Sequence, residues 1–315
     1  RPAMGGKSSA WRGAAAILTL ALSLPPLLLA ASVPSSPSDA LRAWRHQRLA
    51  SCASSLDVSR FHLQVLFVDD DGIRARVCES LLERIATWAD AGWWIYPHSA
   101  SLGEGSGVAT LPSLVRLAER FGLTRSRLTD CTAKLTREDL DSYDLVLAVD
   151  SSSLDQARQL LTPEEADAYS SVLLPACDFL SNFRTTERMD ALDDELRSLV
   201  ANRFQEASNL LELPAETNPT EFPEEWELNL AGSALVCASL VSFSKETIDE
   251  GFVLSFQHLL GVHFYVPEEH CGITWEEAEE QLRRHIVTGA LDPCERRRLF
   301  EEHMADLCEG GGRSE

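Results

Sequence analysis

The chain has 315 residues, 44% of them hydrophobic, and a formal charge of −21; this length allows one α/β domain of about 150 residues with extensions, or two small domains. The charge is uneven: residues 1–60 hold seven Lys/Arg and two acids (Asp39 and Asp57), a net of +5, while the remainder holds 21 bases and 47 acids, a net of −26. A body that acidic repels nucleic acid and anionic lipid, so neither is an expected partner.

The basic head, residues 1–60, reads as targeting sequence. Met4 is the expected start, Lys7 and Arg12 give a positive n-region, and GAAAILTLALSLPPLLLAAS (13–32) is an apolar h-region ending in small residues. Pro25-Pro26 and the marginal length argue against a stable span, so the mature protein is expected not to cross a membrane. The following stretch, SVPSSPSDALRAWRHQRLASCASS, is rich in Ser and Arg and poor in acids, like a transit peptide. The two together resemble the bipartite presequences of algae with complex plastids; a secreted or endomembrane location is the alternative. Eight scattered cysteines without a CxxC pair suit a reduced compartment better than a disulfide framework.

From residue 63 a βαβ rhythm appears. Leu63–Val68 is an apolar run of strand length that leads into Asp69, Asp70, Asp71 and Gly72. Residues 76–91 place Val77, Leu81, Leu82, Ile85, Trp88 and Ala89 at helical spacing, and Gly92 stops that helix. WWIYPHSAS (93–101) reads as a second strand and SLGEGSG (101–107) as a loop. Leu114, Leu117, Ala118 and Phe121 mark another helix, ended by Gly122. Asp144–Val149 is a third strand with Asp150 at its carboxyl end, and SSSLDQARQLL begins a helix with Ser at the cap. Strands alternating with helices predict an α/β fold with a small, doubly wound parallel sheet. Ligands in such folds gather at the carboxyl ends of strands, where Asp69–Gly72 and Asp150 both lie.

After about residue 160 the rhythm is lost. Residues 191–213 and the apolar segment 226–243 read as helices, the second buried rather than membrane-spanning, with a Pro-containing linker at 215–225 between them. Thr274 with Glu277, and Asp292-Pro293 with Glu295, have the form of capping boxes. The expected division is a presequence over 1–60, an α/β domain over 61–213 and a mostly helical C-terminal extension over 214–315.

The run from 65 to about 160 resembles the low-molecular-weight protein tyrosine phosphatases. Their pattern is a strand VLFV, a loop C-x5-R-S, a helix, a strand ending in SAG, a helix before a Gly-containing turn, and a block of the form LT..D...FDLVLAMD..NL. The counterparts here are VLFV (65–68), ESLLER (79–84), HSAS (98–101), LVRLAERFGL (114–123) and KLTREDLDSYDLVLAVDSSSL (134–154). The resemblance covers about a third of the chain and implies that family's α/β fold. Its chemistry does not carry over. The position of the nucleophilic cysteine is Asp69, and that of the arginine six residues later is Ala75.

Without thiolate and guanidinium, nothing attacks phosphorus or holds the equatorial oxygens. A carboxylate beside a phosphate dianion at about 4 Å costs roughly 4 kcal/mol per charge pair at an effective ε near 20. Arg74 and Arg76 flank the lost arginine and offer partial compensation. The family's late general acid, an Asp in a DPY sequence, has Asp178 in ACDFLSN as its nearest counterpart, without the Pro. The sequence Cys78 to Arg84 formally satisfies C-x5-R, but it falls inside a predicted helix and carries Glu79 and Glu83. The resemblance therefore implies a catalytically inactive fold kept as a binding or scaffold module for an unidentified protein, with no cofactor.

Three other readings of the acidic loop stand beside it. The run hhhh-Asp69-x-Asp71-Gly72-Ile73 also resembles the first motif of haloacid-dehalogenase-type phosphatases, with Asp69 as nucleophile, Asp71 as general acid and Mg²⁺ as cofactor. That motif needs partners, for which Asp150-Ser151 and Lys134 are the available residues. Alternatively Asp69, Asp71 and Asp150 bind a divalent cation without turnover. The plainest alternative is a solvated acidic turn that caps the next helix. His258, His263, His270 and Cys271 match no familiar zinc spacing and read as core or surface residues.

Overall fold

The computed structural model of the protein describes residues 45–46, 49–50, 62–103, 112–129, 132–182, 186–214 and 223–310. The expected presequence lies almost wholly outside the described residues, as does most of the linker at 215–225.

Leu63–Asp69 forms β1, in which every side chain but Gln64 is buried, the near-continuous apolar run of a strand covered on both faces. After a three-residue turn, α1 (Ile73–Trp88) begins three residues earlier than the apolar spacing predicts. The chain continues through β2 (Ile95–Ser101), α2 (Pro112–Arg120), α3 (Arg125–Thr129), β3 (Ala133–Lys134), α4 (Arg137–Ser142), β4 (Leu145–Ala148), α5 (Ser151–Arg158), α6 (Pro163–Ala168) and β5 (Leu173–Pro175). All strand pairs are parallel and the order is β3-β2-β1-β4-β5. The five blocks that carry the family resemblance fall in that order on β1, α1, β2, α2 and the run from β3 to α5.

Side-chain alternation along β1 and β4 makes two cores. Leu63, Val65, Phe67, Leu145 and Leu147 face α1, with Val77, Leu81 and Ile85. Leu66, Val68, Val146 and Ala148 face the opposite side, with Leu140 of α4 and Leu154 and Ala157 of α5. Helices thus cover both faces, as a doubly wound sheet requires.

Two strands escape the sequence reading. β3 has two residues and β5 three, too few for a period to show. The rhythm that fades near residue 160 therefore runs on to residue 175. The Ser cap of α5 is also corrected: the capping residue is Asp150, whose side chain accepts the Ser153 N–H.

Beyond the sheet come α7 (Asp194–Ala207), α8 (Pro223–His263), α9 (Pro267–His270), α10 (Trp275–Leu282), α11 (Ile286–Ala290) and α12 (Pro293–Gly310). The 226–243 segment is the apolar centre of the 41-residue α8, about 60 Å long at 1.5 Å per residue. By length and composition α8 is able to cross a membrane, but 78% of its most apolar window is buried inside the fold. It packs on α1 and α7, and its Leu230, Leu235, Leu240 and Phe256 share one apolar cluster with Leu81 and Phe67. Buried hydroxyls on α8 bond back to its own carbonyls, Ser244 to Val241 at 3.0 Å and Thr247 to Phe243 at 3.0 Å, which removes the cost of leaving them unpaired.

The Thr274–Glu277 capping box is present. At α12 only half of the second box forms: Asp292 accepts the Cys294 N–H at 2.8 Å, while Glu295 pairs with Arg298. One cysteine pair departs from the reduced expectation, because Cys271 and Cys308 are bridged with a Cα–Cα distance of 5.8 Å. Cys78, Cys177 and Cys237 are free and buried.

Candidate functional site

The site sits where β1 and β4 end side by side. Gly72 turns the chain into α1 with φ +82°, and a Cβ there would overlap the Thr132 side chain; only glycine meets both demands. That turn folds α1 back so that its first amides face Asp69. The Asp69 Oδ2 accepts the N–H of Arg74 at 2.8 Å and of Ala75 at 3.3 Å. Asp71 Oδ1 accepts the Ile73 N–H at 2.9 Å. Two acids therefore cap the one helix.

The capping role matches the plainest sequence alternative, but the solvated character does not. Asp69 is completely buried, while Asp70 is exposed and Asp71 half-buried. Burial, together with the nearby Asp71, pushes the Asp69 carboxyl up to about 7 against the pull of Arg74 and the two amides. Its Oδ1 has no hydrogen-bond partner.

Arg74 ties the site together. Its guanidinium lies 2.5 Å from Asp150 Oδ2 and 3.7 Å from Asp69 Oδ2, and donates to the carbonyls of Leu213 at 3.2 Å and Pro214 at 3.4 Å. Burial opposes its charge, but Asp150 and then Asp69 hold its pKa above the ordinary value. Asp150 Oδ1 accepts the Ser153 N–H at 2.7 Å; burial raises its pKa, and the Ser153 bonds with Arg74 more than offset this, so the net direction is down. Arg76 is buried, and its Nε donates to the Gly72 carbonyl at 3.2 Å within its own helix.

Asp69, Asp71, Arg74, Ala75 and Asp150 thus come together in one network. Asp178 lies in the 3-10 helix Ala176–Asn182 after β5, and burial raises its pKa. Cys78, the C-x5-R cysteine, is inside α1, and burial pushes its thiol up to about 12, which removes the thiolate character that a nucleophile needs. Lys134 is exposed on the edge strand β3. Among the described residues no group of three or more His, Cys, Asp or Glu is arranged to hold a metal. The donor chemistry agrees. Both Asp150 oxygens and Asp69 Oδ2 already serve N–H groups, and a guanidinium stands between the two carboxylates, so the set does not fit a dication.

Some contributors carry no sequence signal. The Leu213 N–H binds the Val149 carbonyl at 3.1 Å, and Asn229 Nδ2 binds the Pro214 carbonyl at 3.0 Å. The segment after α7 and the start of α8 are thereby laid against Arg74. Backbone carbonyls have no residue-type signature, so only Asn229, a polar residue in an apolar run, was open to notice.

The histidine cluster near the C-terminus has structural partners. The His270 Nδ1 accepts the Val266 N–H at 3.2 Å, His303 Nε2 lies 2.8 Å from the Phe264 carbonyl, and His263 stacks edge-on against His285. Cys271 is bridged and offers no thiolate.

No family model matches the chain, and no curated protein matches it. Solved structures that match include a protein tyrosine phosphatase from Entamoeba histolytica with Hepes in the active site, at 13% identity over 58% of this chain and 97% of that one, with a TM-score of 0.43. YfkJ from Bacillus subtilis matches at 17% identity over 59% of this chain and 96% of that one, TM-score 0.38. Vibrio vulnificus Wzb in complex with benzylphosphonate matches at 15% identity over 59% of this chain and 99% of that one, TM-score 0.35. At this level of likeness nothing passes from those proteins to the chemistry of this chain.

Proposed function

We propose that the chain is a phosphatase-like fold whose phosphate loop is filled by its own carboxylate, and that it acts as a protein-binding module without phosphohydrolase activity. The observation that supports this is Asp69. It stands at the nucleophile position of the resemblance, and its Oδ2 accepts the amides of Arg74 and Ala75 at the start of α1. The Arg74 guanidinium bridges Asp69 to Asp150. The Ile73, Arg74 and Ala75 amides are already used by loop carboxylates, and a carboxylate stands where the resemblance would have its thiolate. The Mg²⁺-dependent reading with Asp69 as nucleophile is not favoured, because that carboxylate is buried under Arg74 and its neighbours are committed to N–H groups.

The test is hydrolysis of a generic aryl phosphate by the protein, with Mg²⁺ and with chelator, beside Asp69→Asn. The expected result is no turnover in any arm. Metal-dependent turnover that disappears in Asp69→Asn sinks the proposal and restores the phosphohydrolase. The basic head, net +5 over residues 1–60, supports a plastid address, which a fluorescent fusion of those residues checks; a reporter that is secreted instead overturns it.

A further inference from the structure

A second feature lies at the other end of the sheet. Two cavities, of about 850 Å³ and about 320 Å³, run along the second half of α1 and the start of β2. Glu83, Thr87 and Arg127 line both, so the two form one groove. The acidic loop is at the carboxyl ends of the strands, and the groove is at their amino ends, near Ile95 and Tyr96. Ten residues of α1 separate Ile73 from Glu83, roughly 15 Å of helix.

The groove is acidic. Arg84 pairs with Asp193 and Glu195, and Arg127 with Glu79 and Glu83. Asp194 joins Glu83, Asp193 and Glu195 in the lining, so four acids line the groove beside two guanidinium groups, with Glu79 behind Arg127. It is also bordered by aromatic surface. Of the seven large hydrophobic side chains exposed among the described residues, Trp88, Trp93 and Tyr96 fall within nine positions of one another, with Trp88 at 59% exposure. The outer edge of β2 is paired only at Ala100 and Ser101 among the described residues; the stretch from Ile95 to His98 lines the smaller cavity.

These three properties specify an occupant. Excess carboxylates select a cation, an exposed indole face favours a planar guanidinium, and an open strand edge accepts an extended backbone. Pro97, with no N–H to give, lets that edge accept a peptide while discouraging long sheet extension. We infer that this groove docks an extended, arginine-bearing peptide segment of a partner protein. The inference goes beyond the loop and holds whether or not the loop turns over phosphate.

The experiment measures binding of the whole protein to labelled short peptides by fluorescence anisotropy. One pool carries a fixed central arginine in varied surroundings, and a matched pool carries a central glutamate. The expected result is saturable binding of the arginine pool only, weakened about threefold by Trp88→Ala and by a similar factor in Asp194→Asn. Glu268→Gln, an exposed acid on α9, leaves the affinity unchanged and controls for bulk charge. The Asp194 side chain is 96% exposed, so its replacement does not threaten folding even if Trp88→Ala does. Equal binding of both pools, no saturable binding, or an affinity that falls as much in Glu268→Gln as in Asp194→Asn overturns the inference.

Discussion

Neighbouring strands β1 and β4 end alike, with an aspartate followed by a helix whose first amides that aspartate caps, yet the two carboxylates are in opposite electrostatic states. Asp69 is fully buried and its pKa is pushed up to about 7. Asp150 keeps some solvent contact and its pKa is lowered. The difference lies in how the donors are shared. Asp150 uses both oxygens, one for the Ser153 amide and one for Arg74. Asp69 draws all its donors to Oδ2 and leaves Oδ1 with none, beside the charge of Asp71. A helix N-terminus offsets a buried charge only as far as the donors reach both oxygens; otherwise desolvation wins.

Removing the shared cation tests that account most severely. Arg74→Ala leaves Asp69 buried without its counter-charge and takes the guanidinium from the Leu213 carbonyl, while the Pro214 carbonyl keeps Asn229. The expected loss is about 3–5 kcal/mol of unfolding free energy in urea titration at neutral pH. A loss below about 1 kcal/mol would mean that the bridge behaves like an exposed pair, and the contrast between the carboxylates would collapse.

The next effect is the pH profile. Asp69 has a folded pKa above its unfolded value of 3.8. Between those two values the folded state holds the extra proton, so stability falls as pH rises from about 4 to about 7, by roughly 2–4 kcal/mol. Asp69→Asn cannot titrate and is expected to flatten that window. Asp150 has the opposite sign: its contribution is present above the unfolded carboxyl pKa and fades as pH falls through the lowered folded value. Denaturation midpoints of Asp69→Asn and the unsubstituted protein from pH 4 to pH 8 read the Asp69 window alone, since that of Asp150 lies at lower pH, and an unchanged slope in Asp69→Asn counts against its assignment.

A smaller loss comes from the turn that aims the amides at Asp69. Gly72→Ala places a Cβ at φ +82° and against the Thr132 side chain. The conformational part costs about 1–2 kcal/mol, and the overlap adds to it. Thr132→Ala in the same chain removes the overlap with Oγ1 and Cγ2 but leaves the Cβ of residue 132 close by, and is expected to recover part of the steric cost, read as a partial return of the thermal midpoint. Full recovery would show that the left-handed backbone carries no cost there.

Much of the contrast was legible in the residues and some was not. VLFV, the DLVLAV strand and the apolar stripe of α1 announce themselves through period and length, which fixes where Asp69 and Asp150 stand. The burial of Asp69 was hidden, because three consecutive acids read as solvent-facing and only the Gly72 turn draws the first of them inward. Leu213 and Pro214 were invisible for a different reason: they act through carbonyls, and they sit where the composition marks a boundary. β3 and β5 exist because of their neighbours, and two or three residues cannot show a period. α8 extends beyond its apolar centre because α1, α7 and α12 all pack on it, a tertiary cause with no local sign.

The finest distinction concerns the cap itself. Asp150 both caps α5 and pairs with Arg74, and two substitutions divide these roles. Asn keeps an acceptor of the same reach, so Asp150→Asn retains the Ser153 bond and loses mainly the charge. Ala loses both. The extra cost of Asp150→Ala over Asp150→Asn is therefore the cap alone, about 1 kcal/mol, measured as a difference of urea midpoints at constant slope. If the two variants are equally stable, the Ser153 amide finds another partner, and the lowered pKa of Asp150 rests on Arg74 instead of on its use of both oxygens.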